Sequence, residues 1–127
     1  IQNAQAMADE LLKLDYQLVS GGTDTHVLLI DLSNKNMTGK AAELSLGKAG
    51  ITVNKNMVPF DERSPFVTSG IRVGTPAITT RRMGVNESRQ IVKWMDEAIC
   101  THDDESTLSR IKSHVNDFCA EFPIYSD

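Results

Sequence analysis

Long apolar runs are missing from this sequence, and with them goes any helix of the roughly twenty consecutive apolar residues needed to span a bilayer. No basic-then-apolar segment opens the chain, so the expectation is a soluble, cytoplasmic protein that is not exported. Cysteine is scarce: Cys100 and Cys119 are the only two, each in a helical pattern and neither with a partner at metal-ligand spacing. They are expected as reduced thiols packed in or near the core, where a free cysteine behaves as a small hydrophobe. His26 has no second histidine or carboxylate pair at ligand spacing and reads as a hydrogen-bonded structural residue. The glycine run that would cradle a phosphate is absent around Thr38-Gly39-Lys40. Repeats and low-complexity segments are absent too. Basic charge is in deficit, with 13 Lys and Arg against 17 Asp and Glu and a net charge of -4. That excludes the electrostatic footprint of a nucleic-acid binder. Arg81, Arg82, Arg89 and Lys93 are interleaved with Glu87, Asp96 and Glu97, which makes a mixed solvated face.

What is present suits one domain. A chain of 127 residues, 40% apolar and 24% charged, can bury roughly two-thirds of the surface its unfolded form exposes. Residues 1–14 place Ile1, Ala4, Ala8, Leu11 and Leu12 on one side of a helical period. Tyr16-Gln17-Leu18-Val19 predicts a short strand, followed by a turn at Ser20-Gly21-Gly22-Thr23-Asp24. The run from His26 to Leu32 is too continuously apolar for an exposed edge and belongs centrally in a sheet. Thr38 can cap a helix to about Lys48, with Ala41, Leu44, Leu46 and Ala49 for packing and Gly50 as its stop. Ile51-Thr52-Val53-Asn54 predicts a third strand, with Asn54 and Asn56 as candidate turn residues. Two further helices are expected, one capped by Asn86 and running to about Cys100, the other from about Asp104 to Glu121, before an extended tail at Pro123-Ile124-Tyr125. This order implies an α/β (α+β) domain: a small, mainly antiparallel or mixed sheet of three to four strands with helices layered on one face.

The stretch that carries chemistry is Thr68-Ser69-Gly70-Ile71-Arg72-Val73-Gly74-Thr75-Pro76-Ala77. Ile71 and Val73 alternate with Arg72, so an extended strand sends the guanidinium to the face opposite the two apolar side chains. Gly70 and Gly74 let another backbone or a ligand approach closely. Thr75 and Pro76 read as the cap and first residue of a helix. A guanidinium held by a strand can offer two parallel donors to a carboxylate. An arginine at a strand end is otherwise paired with a neighbouring acid or solvated. The loop from Phe60 to Pro65 is long for a hairpin, and long ordered loops tend to carry function.

Val19-Ser20-Gly21-Gly22-Thr23-Asp24-Thr25-His26, Thr38-Gly39-Lys40, Gly50-Ile51-Thr52-Val53-Asn54-Lys55-Asn56 and Ser64-Pro65-Phe66-Val67, followed by the arginine stretch, resemble in that order the C-terminal part of serine hydroxymethyltransferase. The resemblance covers the chain nearly end to end. It implies the C-terminal domain of a fold-type I pyridoxal-phosphate enzyme, with residues 1–14 as a connecting helix from a larger domain and residues 15–127 as the small domain. It further implies a one-carbon transfer that interconverts serine plus tetrahydrofolate with glycine plus 5,10-methylenetetrahydrofolate. In that family Arg72 would clamp the amino-acid carboxylate, and Asn56, Ser64, Pro65 and Phe66 would line the folate pocket. The cofactor lysine would lie upstream, leaving no catalytic residue here and Lys55 as a structural lysine. The expected piece is therefore folded but inactive alone, and the whole enzyme a homodimer or homotetramer. Arg82 stands where the family commonly has glycine, which puts the local helix end in question. A non-catalytic domain that grips a carboxylate ligand through Arg72, or a purely structural interaction module, is the competing reading.

Overall fold

A computed structural model describes residues 2–19, 27–74 and 84–121 of the chain. His26, the turn at residues 20–24, the helix expected after Pro76, Arg82 and the tail at residues 123–125 lie outside them. Helix α1 (Gln2–Lys13) leads into strand β1 (Gln17–Leu18), then β2 (Val27–Asp31), a 3-10 turn (Ser33–Lys35) and helix α2 (Gly39–Lys48). Strands β3 (Asn54–Asn56) and β4 (Gly70–Gly74) follow, and helices α3 (Val85–Cys100) and α4 (Glu105–Ala120) complete the described elements. The four strands form one antiparallel sheet in the order β1-β2-β4-β3. The α+β expectation is met.

Strand alternation decides which face the helices cover. Leu28 and Ile30 on β2 and Ile71 and Val73 on β4 are buried, whereas Arg72 between them is exposed. The apolar face meets Met7 and Leu11 of α1, Leu46 of α2, Val92 and Met95 of α3, and Leu108 and Ile111 of α4 in one continuous core. Each fully buried side chain of this size contributes roughly 1.5–3 kcal/mol. α1 packs chiefly on α3. It ends where Asp15 turns left-handed, with φ 66°, and buries Tyr16 behind it. The Tyr16 hydroxyl donates to Asp96 on α3 at 2.7 Å. Lys35 crosses the tyrosine ring 4.4 Å from its centroid and donates to the Leu14 carbonyl at 2.7 Å. Trp94 and Phe118 meet edge to face at the rim of the core, ring centroids 5.1 Å apart.

Several expectations are corrected. The third strand spans Asn54–Asn56, not residues 51–54. Ile51 gives its N–H to the Leu46 carbonyl to close α2, and it and Val53 are buried as anchors, so ladder pairing begins only at Asn54. Asn54 and Asn56 are thus edge-strand residues paired with Arg72 and Gly70, not turn residues. Leu44 and Leu12 are more than half exposed; Gly39, Ala42, Ser45 and Leu46 are the positions of α2 that turn inward. α3 is capped by Gly84, two residues before Asn86, and Ser88 returns its hydroxyl to the Gly84 carbonyl at 2.9 Å. Cys100 is exposed, one position past the buried Ala98 and Ile99, while Cys119 is half-buried against the core.

Candidate functional site: the open face of the sheet and the loop beside it

Arg72 occupies the centre of the open face. Its cross-strand neighbours are Leu29 on β2 and Asn54 on β3, and directly opposed residues share a face of the sheet. Asn56, two residues along, is on the same face opposite Gly70. Among the described residues no hydrogen bond or ion pair engages the Arg72 guanidinium. Lys55, pointing to the other face between Asn54 and Asn56, takes part in an ion pair with Glu43 at 3.7 Å, and the same Glu43 accepts the Lys55 N–H at 2.9 Å. The lysine is committed to α2 and the arginine is not. The Asn56 amide donates to the Met57 carbonyl at 2.8 Å, and its oxygen accepts no hydrogen bond among the described residues.

The segment leading into β4 is held by close backbone contacts. A Cβ on Gly39 would lie 2.0 Å from the Thr68 hydroxyl and 2.3 Å from the Gly70 carbonyl, so only glycine fits at the start of α2. There the N–H groups of Gly39 and Lys40 donate to the carbonyls of Thr68 and Val67 at 3.1 and 2.9 Å. They are among the helix-start donors that have no intrahelical acceptor. Thr68 has φ 58°, a left-handed backbone that costs a non-glycine residue roughly 1–3 kcal/mol. Its hydroxyl donates to the Gly70 carbonyl at 3.0 Å, and its N–H, with that of Val67, donates to the Ser64 carbonyl at 2.8 and 3.0 Å. Gly70 has its own requirement, since a Cβ there would meet Val58 at 2.6 Å and the Ile30 carbonyl at 2.7 Å.

These contacts present Ser64, Pro65 and Phe66 outward on a turn. All three are exposed, and the Phe66 ring keeps 81% of its surface open. Phe60 is fully exposed on a left-handed backbone of φ 60°. A cleft of about 330 Å³ lies beside it, lined in part by Asp31, Ser33, Asp61 and Arg63. At its wall Asp61 is half-buried. Burial opposes its ionisation, but the Arg63 N–H, the Ser69 hydroxyl, the Ser69 N–H and the Val58 N–H together outweigh burial and lower its pKa to about 2.

A family model described as serine hydroxymethyltransferase matches residues 1–95, which hold every residue of this face and loop. The chain belongs to the serine hydroxymethyltransferase family. That family is one of transferases. Of the residues singled out from sequence, the fold brings Arg72 and Asn56 to one face of neighbouring strands and sets Ser64, Pro65 and Phe66 on the turn that feeds β4. The sequence marks Asn54 as a turn residue and not as a neighbour of Arg72, and it marks neither Asp61 nor the Gly39–Thr68 contact. Asn54 was legible only with the register known; an aspartate in a proline-containing loop signals an Asx-type turn, but not four donors. No group of three or more metal-ligating side chains occurs among the described residues, and none of their helices is long and apolar enough to cross a membrane.

Proposed function

We propose that this chain is the C-terminal small domain of a serine hydroxymethyltransferase, with Arg72 as the clamp for the carboxylate of serine or glycine. The observation that carries the reading is an arginine fixed centrally in a sheet, exposed and without an acidic partner among the described residues, in a chain of this family. An unpaired guanidinium on a strand fits a carboxylate through two parallel donors. Residues 1–14 serve as the helix from a larger domain and residues 15–127 as the small domain. The location is cytoplasmic, and the whole enzyme is a homodimer or homotetramer.

Pyridoxal phosphate, when bound, supplies an electron sink that weakens the bond at Cα standing perpendicular to its ring. That cofactor is held mainly by the larger domain; Lys55 of this chain is tied to Glu43. What they do is orient and enclose. Arg72 fixes the carboxylate, and fixing it determines which Cα bond is presented. Tetrahydrofolate is the one-carbon partner. The Asn56 oxygen suits an amide or amine donor of its ring system, and the open Phe66 ring suits its aromatic surface. Arg72 is a positioning group, neither base nor nucleophile.

One spectroscopic experiment tests this. Pyridoxal phosphate and glycine are added to the 127-residue chain, to the full-length protein and to its Arg72→Lys variant, and the visible absorption is followed. The chain alone should give no cofactor band and no turnover of serine. The full-length protein should give a glycine-responsive band, and Arg72→Lys should weaken glycine by roughly 2 kcal/mol, about 30-fold. Unchanged glycine affinity in the variant would remove Arg72 from the site. A specific band from the chain alone would mean that it holds the cofactor itself.

A further inference from the structure

Asp61 makes no contact that the proposed chemistry uses, yet it has the densest set of hydrogen bonds on the loop. One carboxylate oxygen accepts the Arg63 N–H at 2.9 Å and the Ser69 hydroxyl at 2.7 Å. The other accepts the Ser69 N–H at 2.8 Å and the Val58 N–H at 3.3 Å. Ser69 stands immediately before β4, so a single side chain ties both ends of residues 58–69 together. Arg63 closes the arrangement from the far side, donating from Nη1 to the Ser69 hydroxyl at 3.1 Å and to the Met37 carbonyl at 3.5 Å. Between these ties the exposed turn of Ser64, Pro65 and Phe66 has no buried side chain of its own. Its shape is set by its ends and by the Val67 and Thr68 N–H groups that donate to the Ser64 carbonyl.

We propose that Asp61 is a positioning residue for the folate pocket, holding the loop that carries Ser64, Pro65 and Phe66 in one shape before tetrahydrofolate arrives. This rests on the reading of those three residues as pocket lining. The physical reason is that a loop ordered in advance spares the ligand the entropic cost of ordering it. Charge matters as well as shape. A carboxylate has only acceptors, whereas an asparagine in its place would turn an N–H2 toward N–H donors and leave part of the set unsatisfied. Arg72 does not depend on this fastening, because its strand is paired on both sides, with Leu29 and with Asn54. Loss of Asp61 therefore acts on folate and spares the amino acid, which separates positioning from a general loss of structure.

The test uses the full-length enzyme loaded with pyridoxal phosphate. Asp61→Asn should raise the KM for tetrahydrofolate at least about tenfold while glycine affinity, read from the cofactor spectrum, stays within about twofold. Hydrogen exchange should quicken at Val58, Arg63 and Ser69 and stay unchanged at Ile71, Arg72 and Val73. An unchanged folate KM, or equal losses for folate and glycine, overturns the proposal. If Asp61→Asn does not fold, Ser69→Ala removes the hydroxyl that bridges Asp61 and Arg63. It should move the folate KM in the same direction by a smaller factor, and no movement counts against Asp61. Phe66→Ala separates the two levels of inference. A folate KM raised by Phe66→Ala and untouched by Asp61→Asn defeats only the role of Asp61, whereas a folate KM indifferent to Phe66→Ala defeats the pocket assignment and the proposal with it.

Discussion

A methyl group on Gly39 has nowhere to go. It would overlap the Thr68 hydroxyl, which is already committed to the Gly70 carbonyl, and the Gly70 carbonyl itself at 2.3 Å. Neither is the loose end of a flexible side chain, so the start of α2 must back away from the loop. Gly39→Ala should cost about 1–3 kcal/mol, the usual range for overpacking, and lower the urea midpoint accordingly. A midpoint within error of the parent would mean that the contact is softer than the geometry implies. The same residues show how far a sequence reveals a site. The direction of Arg72 followed from Ile71 and Val73, because alternation in a strand is a rule of covalent geometry. The need for glycine at position 39 did not follow, because it arises from Thr68, nearly thirty residues along the chain. Asp61 was invisible for a related reason: its partners are mainly backbone N–H groups, and backbone donors leave no mark in a sequence.

The amphipathic helices were the legible elements, since α1, α3 and α4 each show a stripe whose inner members, such as Ala8, Leu11, Val92, Met95, Leu108 and Ile111, are buried as expected. Strand limits were less legible. Ile51 and Val53 look like strand residues because they are β-branched and apolar, yet they are buried as tethers, and the sheet takes the polar Asn54–Asn56 instead. An edge strand is chosen by what pairs with it, here β4, rather than by its own propensity. The sequence marks α2 by its cap and its stop, and its start carries more than that. Thr38 caps it by accepting the Ala41 N–H at 3.0 Å, while the next two N–H groups are spent on the loop carbonyls. Thr38→Ala should cost about 1 kcal/mol, typical of a lost N-cap, with the urea dependence of unfolding unchanged. Because the capped turn also holds Val67 and Thr68, their amides should exchange faster in the variant. Faster exchange confined to α2 would show that the loop does not lean on the helix start.

Across the whole molecule, stability is bounded by two groups at opposite ends of the pH scale. Asp61 sits below its ordinary value of 3.8, at about 2. A carboxyl depressed by folding contributes stability that is complete above its unfolded value and is lost as pH falls through the folded one. The acid limb should therefore run from near pH 4 down through about pH 2. Asp104, lowered by the Thr107 hydroxyl and N–H, adds to it in the same direction. Tyr16 acts at the other end. Burial first, then its hydrogen bond to Asp96 and the charge there, raise its pKa above the ordinary 10.0. The unfolded chain then ionises before the folded one, so stability is complete below about pH 10 and falls as pH rises beyond it. Urea midpoints measured from pH 2 to pH 11 should trace a plateau with a shoulder at each side. Asp61→Asn should lower the plateau, flatten the acid shoulder and approach the parent as pH falls through about 2, where the parent's own carboxyl takes up its proton. Tyr16→Phe should leave the acid shoulder in place, flatten the alkaline one and cost about 1 kcal/mol on the plateau for the lost hydrogen bond. A parent and an Asp61→Asn protein that fall in parallel between pH 4 and pH 2 would show that the carboxylate is no better held in the folded chain than in the unfolded one. The loop would then owe its shape to α2, to the ties of Arg63 and to the hydrogen bonds within its own turn.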